Sequence, residues 1–240
     1  NSVEVHMRTF SILVAGLLIA TNDAGAAISL SFTDDGNVGG TQALKAEVRG
    51  TGLSEIRSLT ITDDGTKVGG APGIFSGFDL DAIFVDLDGS RSTSDDRFFG
   101  SQFFFNAGST RDTTVSDLQP TSEHPGPVFG SLSATEVDTA TATLDVFDGV
   151  SVADVNTADG FLTLGEGGSL ALNFADIIPV DPDDPPYVFV GEVGGQPGEG
   201  LGGTVFVSDA VVPLPAAGWL FLTGVGALAA LSRRFQPATV

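Results

Sequence analysis

The 240-residue chain contains no cysteine. Thiol catalysis, disulfide cross-links and cysteine metal ligation are excluded, so stability must come from a packed core or from bound ions. Cations are scarce: ten Lys and Arg stand against 31 Asp and Glu, for a net charge of −21. Residues 27–211 hold seven of those cations and 29 of those carboxylates, so this stretch alone carries about −22. Such a surface repels nucleic acid, whose phosphates are held by Lys and Arg, and it repels anionic lipid. It favours solubility and attracts cations. The two histidines, His6 and His124, are too few for a three-histidine zinc site. One Trp (Trp219) and one Tyr (Tyr187) leave few aromatic platforms for a glycan cleft. Helical periodicity is missing between 27 and 211: the nearest window, Leu44–Val48, is short and is followed by Gly50 and Gly52.

What is present is alternation. Ile28, Leu30 and Phe32 are spaced by polar residues, as are Leu59 and Ile61, Leu144 and Val146, Leu170, Leu172 and Phe174, and Val205 and Val207. A period of two in Val, Leu, Ile and Phe is the mark of half-buried strands. Ile83–Val85, Phe103–Phe105 and Tyr187–Val190 are apolar on both faces and are predicted to be central strands. The five phenylalanines at 98–99 and 103–105 are expected in the core, with an exposed adhesive patch as the alternative. Gly165-Glu166-Gly167-Gly168 predicts a hairpin loop joining Phe161–Leu164 to Ser169–Phe174. Pro179 to Pro186 forms a stiff acidic connector, and Gly194–Gly203 a glycine-rich loop. The pattern predicts an all-β chain: one antiparallel, jelly-roll-like β-sandwich over residues 27–211.

Candidate chemistry is sparse. Asp86-Leu87-Asp88-Gly89-Ser90 with Asp95 and Asp96 beyond, preceded by Asp79 and Asp81, could supply oxygens to Ca²⁺, the one cofactor the sequence suggests. The spacing departs from the EF-hand: Gly89 stands fourth from Asp86 and Arg97 twelfth. On a straight strand, Asp79 and Asp81 would face one side while Asp86 and Asp88 faced the other, so Asp86, Asp88, Asp95 and Asp96 are the better metal cluster. Solvated carboxylates at a strand end are the competing reading. Asp181, Asp183 and Asp184 read as an exposed linker. His124 lies among prolines without a Gly-x-Ser-x-Gly elbow, so no serine triad is indicated. Paired carboxylates of the glycosidase kind are too abundant to discriminate. The glycine-rich stretches near 191–200 precede no helix that could hold a phosphate.

The two termini say where the chain goes. Met7-Arg8, the apolar stretch Phe10–Ala20 and the small residues Ala24-Gly25-Ala26 have the layout of a secretory signal peptide, residues 7–26. Residues 1–6 read as an upstream extension. At the other end Val212-Pro213-Leu214-Pro215-Ala216 is followed by an uncharged apolar run, Ala217–Ser232, and then by Arg233-Arg234. At ~1.5 Å per residue the run spans roughly 24 Å as a helix, slightly under the ~30 Å hydrocarbon core. Trp219 suits the interface, and the arginines form a stop on the cytoplasmic side.

Motif, apolar span and basic stop, in that order, resemble the PEP-CTERM class of bacterial C-terminal sorting signals in its VPLPA variant. Val212 to Ala216 match the variant letter for letter, and Gly218-Trp219-Leu220-Phe221 follow as it would have them. The tail after only two arginines is longer than such signals usually carry. The resemblance covers about an eighth of the chain. It implies export across the inner membrane of a Gram-negative bacterium and transient anchoring by one C-terminal transmembrane helix in segment 212–240. It also implies processing by an exosortase and release to the cell surface or matrix. The partners implied are the secretion machinery, the exosortase and the membrane, with exopolysaccharide as a further candidate and no nucleic acid. The function expected is structural or adhesive and non-enzymatic; a Ca²⁺-dependent, carbohydrate-binding or carbohydrate-active module is the alternative.

Overall fold

The computed structural model describes residues 26–66, 73, 75–91, 96–110, 129–150, 160–194 and 202–213. They form twelve strands and one short helix: β1 (Ala27–Ser29), β2 (Thr33–Val38), β3 (Thr41–Glu47), β4 (Glu55–Asp63), β5 (Asp79–Asp86), β6 (Arg97–Asn106), β7 (Ser131–Ser133), β8 (Glu136–Val137), α1 (Thr139–Ala142), β9 (Leu162–Thr163), β10 (Ser169–Pro179), β11 (Tyr187–Val193) and β12 (Gly203–Ser208). Every pairing between strands is antiparallel. One ten-stranded sheet runs β1-β12-β4-β10-β6-β5-β11-β3-β2, with β9 beside β5, and β7–β8 form a separate ribbon.

The sheet curls over itself into a sandwich-like shape. Its turning point is β6, which pairs with β5 through Arg97, Phe98 and Phe99 and with β10 from Gly100 onward. Gly100 sits at that corner because a Cβ there would lie 2.8 Å from the Phe103 ring and 3.2 Å from Leu172 Cβ. Where β6 leaves, Leu144 O accepts from Ile83 N and β9 pairs with Asp79 and Leu80, so the β5 ladder is completed.

The core lies between the two halves. Leu59, Ile61, Leu170, Leu172, Val205 and Val207 come from one wall and Leu80, Ile83, Val85, Val188 and Val190 from the other. In the first wall the apolar residues are direct cross-strand partners, Val207–Leu59–Leu172 and Val205–Ile61–Leu170. Burying such rows is what the period of two encodes. The opposite face of that wall carries Ser58, Thr60, Thr62 and Asn173, in agreement with the alternation read from the sequence.

The central-strand expectation for Ile83–Val85 and Tyr187–Val190 is borne out: β5 is buried along its whole length between β11 and its β6-side partners. Phe103–Phe105 depart from it: among the described strands this stretch pairs with β10 alone, since β5 pairs only with Arg97–Phe99, and only Phe105 of the three is buried, while Phe99 is 37 % exposed. Three expectations are corrected. Leu144 and Val146 lie in turns after α1, not in a strand, although Leu144 is buried. The four-residue helix α1, capped by Asp138 Oδ1 accepting from Ala140 N, carries no readable period at its length. The window around Leu44, which carried no convincing helical period, is β3, gripped between β2 and β11. Residues 165–168 do not close a hairpin: β9 pairs with β5, and β10 pairs with β4 and β6.

Asp63 explains that last departure. Its Oδ1 accepts from Gly65 N at 2.8 Å and Gly167 N at 2.7 Å, and its Oδ2 accepts from Phe78 N at 3.0 Å. One buried carboxylate thus gathers three loops, and 165–168 wraps around it instead of folding back. The packing there is main chain on main chain: a Cβ on Gly77, whose φ is +77°, would lie 2.5 Å from Gly165 C and O.

Among the described residues no helix is long and apolar enough to cross a membrane. The predicted span Ala217–Ser232, the signal peptide 7–26 bar its last residue, the stop Arg233-Arg234 and His124 lie outside the described residues.

Candidate functional site

The Asp86–Ser90 turn was the sequence's best metal candidate. A β-bulge in β5 changes its geometry: Val190 pairs with Ile83 but Glu192 with Leu80, so Asp81 and Ala82 together face Gly191. The extra residue shifts the parity and puts Asp79, Asp81 and Asp86 on one face of the strand. They do not converge on one point. Asp79 Oδ1 accepts from Thr163 Oγ1. Asp81 Oδ1 accepts from Asp148 N and Gly149 N. Asp86 Oδ1 accepts from Asp88 N at 3.1 Å and Ser90 N at 3.2 Å, and Asp88 Oδ1 from Ser90 N at 2.7 Å.

Asp86 and Asp88 are thus brought together, and they organise a turn. The countercharge is internal: Arg97 Nε lies 3.7 Å from Asp86 Oδ2, and the guanidinium sits over the Phe84 ring at 4.8 Å. Burial, reinforced by the neighbouring Asp88 carboxyl, pushes Asp86 above the usual carboxylate range. Asp96 joins through its main chain, whose carbonyl accepts from Leu87 N, and Asp95 lies outside the described residues. Among the described residues no three His, Cys, Asp or Glu are grouped so as to hold a metal ion.

A second assembly was not anticipated. The registers align Ser208 of β12, Ser58 of β4, Asn173 of β10 and Gln102 of β6 in one row across four strands. The chain leaving β12 crosses this polar rung. Ser208 Oγ accepts from Ala210 N at 3.1 Å, and Ser58 Oγ donates to Ala210 O at 2.7 Å. Two residues on, Asn173 takes both main-chain groups of Val212: its Oδ1 accepts from Val212 N at 2.7 Å, and its Nδ2 donates to Val212 O at 3.1 Å. Its Nδ2 also reaches Gln102 Oε1 at 3.2 Å. Asn173 is 4 % exposed because residues 211–213 lie over it.

The same strands open a seat for this segment. The register breaks just past Asn173 against both neighbours: against β6 the extra residue is Ser101 of β6, and against β4 it is β10 that bulges, between Asn173 and Ile178. A shallow groove of about 540 Å³ results, lined by Ser101, Gln102, Asn173, Phe174 and Ala175 with Val211, Val212 and Pro213 along it. Val212 and Pro213 are the first two residues of the five-residue motif; Leu214, Pro215 and Ala216 lie outside the described residues. The only local hint of the rung was an asparagine inside an alternating strand; its partners are set by tertiary register.

Compared with known proteins, the chain matches no family model, no curated protein and no solved structure.

Proposed function

We propose that the chain is an exported cargo of an exosortase-type sorting system, an acidic jelly-roll β-sandwich with a structural or adhesive rather than enzymatic role outside the cell. The observation that carries this reading is the seating of Val212. The motif Val212–Ala216 begins where the last strand has ended and the chain crosses the Ser208–Ser58–Asn173–Gln102 rung. The motif letters, the uncharged run 217–232 and Arg233-Arg234 then follow in the order of a sorting signal.

The jelly-roll reading is supported by nested pairing. β1 pairs with β12, β3 with β11, β4 with β10 and β5 with β6, as in a long hairpin rolled up, giving the rows β1-β12-β4-β10 and β3-β11-β5-β6. A structural role is supported by how the buried carboxylates are used: Asp63, Asp79 and Asp86 bind the chain's own donors and cations. The exported acidic surface is suited to a hydrated matrix.

The test is fractionation of the full chain in a Gram-negative host with and without a matching exosortase. The reading expects protein in the membrane without the enzyme and at the surface with it, and a Pro213→Ala/Pro215→Ala variant retained in the membrane. Surface delivery of that variant at the wild-type level, or delivery independent of the enzyme, would overturn it.

A further inference from the structure

We propose that the groove on β10 and β6 is a latch on the sorting segment, with Asn173 as its holding residue, so that residues 209–213 must leave the rung before the motif can be processed. The inference rests on the sorting reading above and adds a regulatory step to it. An enzyme that reads Val212–Ala216 as an extended peptide draws on main-chain N–H and C=O groups. At Val212 both are already taken, by Asn173 Oδ1 and Nδ2. Domain and enzyme therefore compete for the same pair of groups.

Three features distinguish this from a chain merely lying on a surface. The holding amide is 4 % exposed, so its bonds form out of bulk water, where an unpaired partner is expensive. It is itself fixed by Gln102 Oε1, and Ser101 Oγ donates to the Asn173 carbonyl, which sets its reach. The seat is built just past Asn173 by a bulge in β10 against β4 and by the extra residue Ser101 in β6, without which the β4 and β6 ladders would run on past it. Upstream, the two bonds at Ala210 act as a second staple. The latch acts on binding alone; the peptide bond to be cut is chemically unchanged by it. Its consequence is order: a chain whose β10 and β6 have not yet paired has no latch, and a folded one presents the motif only as often as the latch opens.

The experiment uses the full chain, as wild type and Asn173→Ala, with two readouts. The first is hydrogen exchange at the Val212 amide in detergent micelles; the second is the rate of C-terminal processing in an exosortase-bearing host. The latch predicts a protected Val212 amide in the wild type and an unprotected one in Asn173→Ala. It also predicts processing roughly tenfold faster in the variant, the ratio set by losing two ordinary hydrogen bonds. Retained protection at Val188 and Val190 certifies the variant's fold. If it is lost, Asn173→Asp replaces it, keeping the acceptor for Val212 N–H while removing the donor to its carbonyl, with a smaller acceleration expected. A wild-type Val212 amide exchanging like free peptide overturns the latch whatever the processing does. Equal processing rates with a protected amide overturn its gating role. Processing of neither chain sinks the sorting reading and the gate with it, while a protected amide would still report the bond itself.

Discussion

Asp81 Oδ1 accepts the Gly149 main-chain N–H at 2.8 Å, a bond that pins the turn after α1 onto β5 across 68 residues of sequence. The rest of that carboxyl is poorly served. Among the described residues its Oδ2 has no hydrogen-bond partner, and the Thr41 hydroxyl is the neighbouring side chain that acts on the carboxyl. Burial pushes the acid up to about 6, against the opposing pull of Thr41 and of the Gly149 and Asp148 N–H groups.

A raised pKa fixes the sign of a pH effect. The folded chain holds the Asp81 proton more tightly than the unfolded chain, whose value is near 3.8. The stability this contributes is fully present below about pH 4 and is lost as pH rises through about 6. That contribution is at most about 3 kcal/mol. Thermal melts should therefore show a lower Tm at pH 7.5 than at pH 5. Asp81→Asn keeps an acceptor for Gly149 and gives Thr41 a donor, so the variant should melt higher at pH 7.5 and depend less on pH. An unchanged pH slope in Asp81→Asn would refute the assignment.

Arg97 is the internal counterion of buried Asp86. Arg97→Ala leaves that carboxylate unpaired and is expected to cost about 3 kcal/mol in chemical denaturation near neutral pH. Since burial already holds Asp86 above its usual range, acid protonates it readily, and the loss should shrink toward pH 5. A loss that is independent of pH would assign the effect to the Phe84 contact instead.

The same pair bears on calcium. With Arg97 beside Asp86 and the turn's N–H groups on Asp86 and Asp88, added Ca²⁺ should leave the Tm of the wild type at the chelator value. A rise of several degrees on adding Ca²⁺ would restore the metal site suggested by the Asp-Leu-Asp-Gly-Ser sequence.

Asp63 should be the most sensitive of the buried acids to truncation. Asp63→Ala strands the Gly65, Gly167 and Phe78 N–H groups together, at an expected ~2–4 kcal/mol. Gly77→Ala should do comparable damage by a different route, because its Cβ would meet Gly165 main chain at 2.5 Å with φ at +77°. Hydrogen exchange should show both variants loosening 63–66 and 164–168 together; separate loosening would contradict a shared hub.

The sequence made legible those strands with one polar face turned away from the core. Leu59 and Ile61, Leu170 and Leu172, and Val205 and Val207 alternate because their neighbours Ser58, Thr60, Thr62 and Ala171 face outward. Strand β3 was obscured because Thr-Gln-Ala-Leu-Lys-Ala-Glu is rich in helix formers; pairing with β11, some 140 residues away, overrides that weak local preference. β2 was hidden by its composition, Thr-Asp-Asp-Gly-Asn-Val, tolerable only on an edge. The glycine loop at 165–168 resembled a hairpin because Asp63, the group that redirects it, lies 104 residues upstream. Asp86 and Asp88 were legible as a pair, but not their use, since Arg97 reaches Asp86 only through the β5–β6 register. The rung under Val212 left only Asn173, inside an alternating strand, as a local hint: it takes four strands in register to align Ser208, Ser58, Asn173 and Gln102.

The central claim is that Val212–Ala216 is a processed sorting motif at the edge of this fold. The most direct measurement is the intact mass of surface-released protein from a host bearing the matching exosortase. The account predicts a chain that has lost the segment containing Arg233-Arg234. A released chain still carrying both arginines would contradict it.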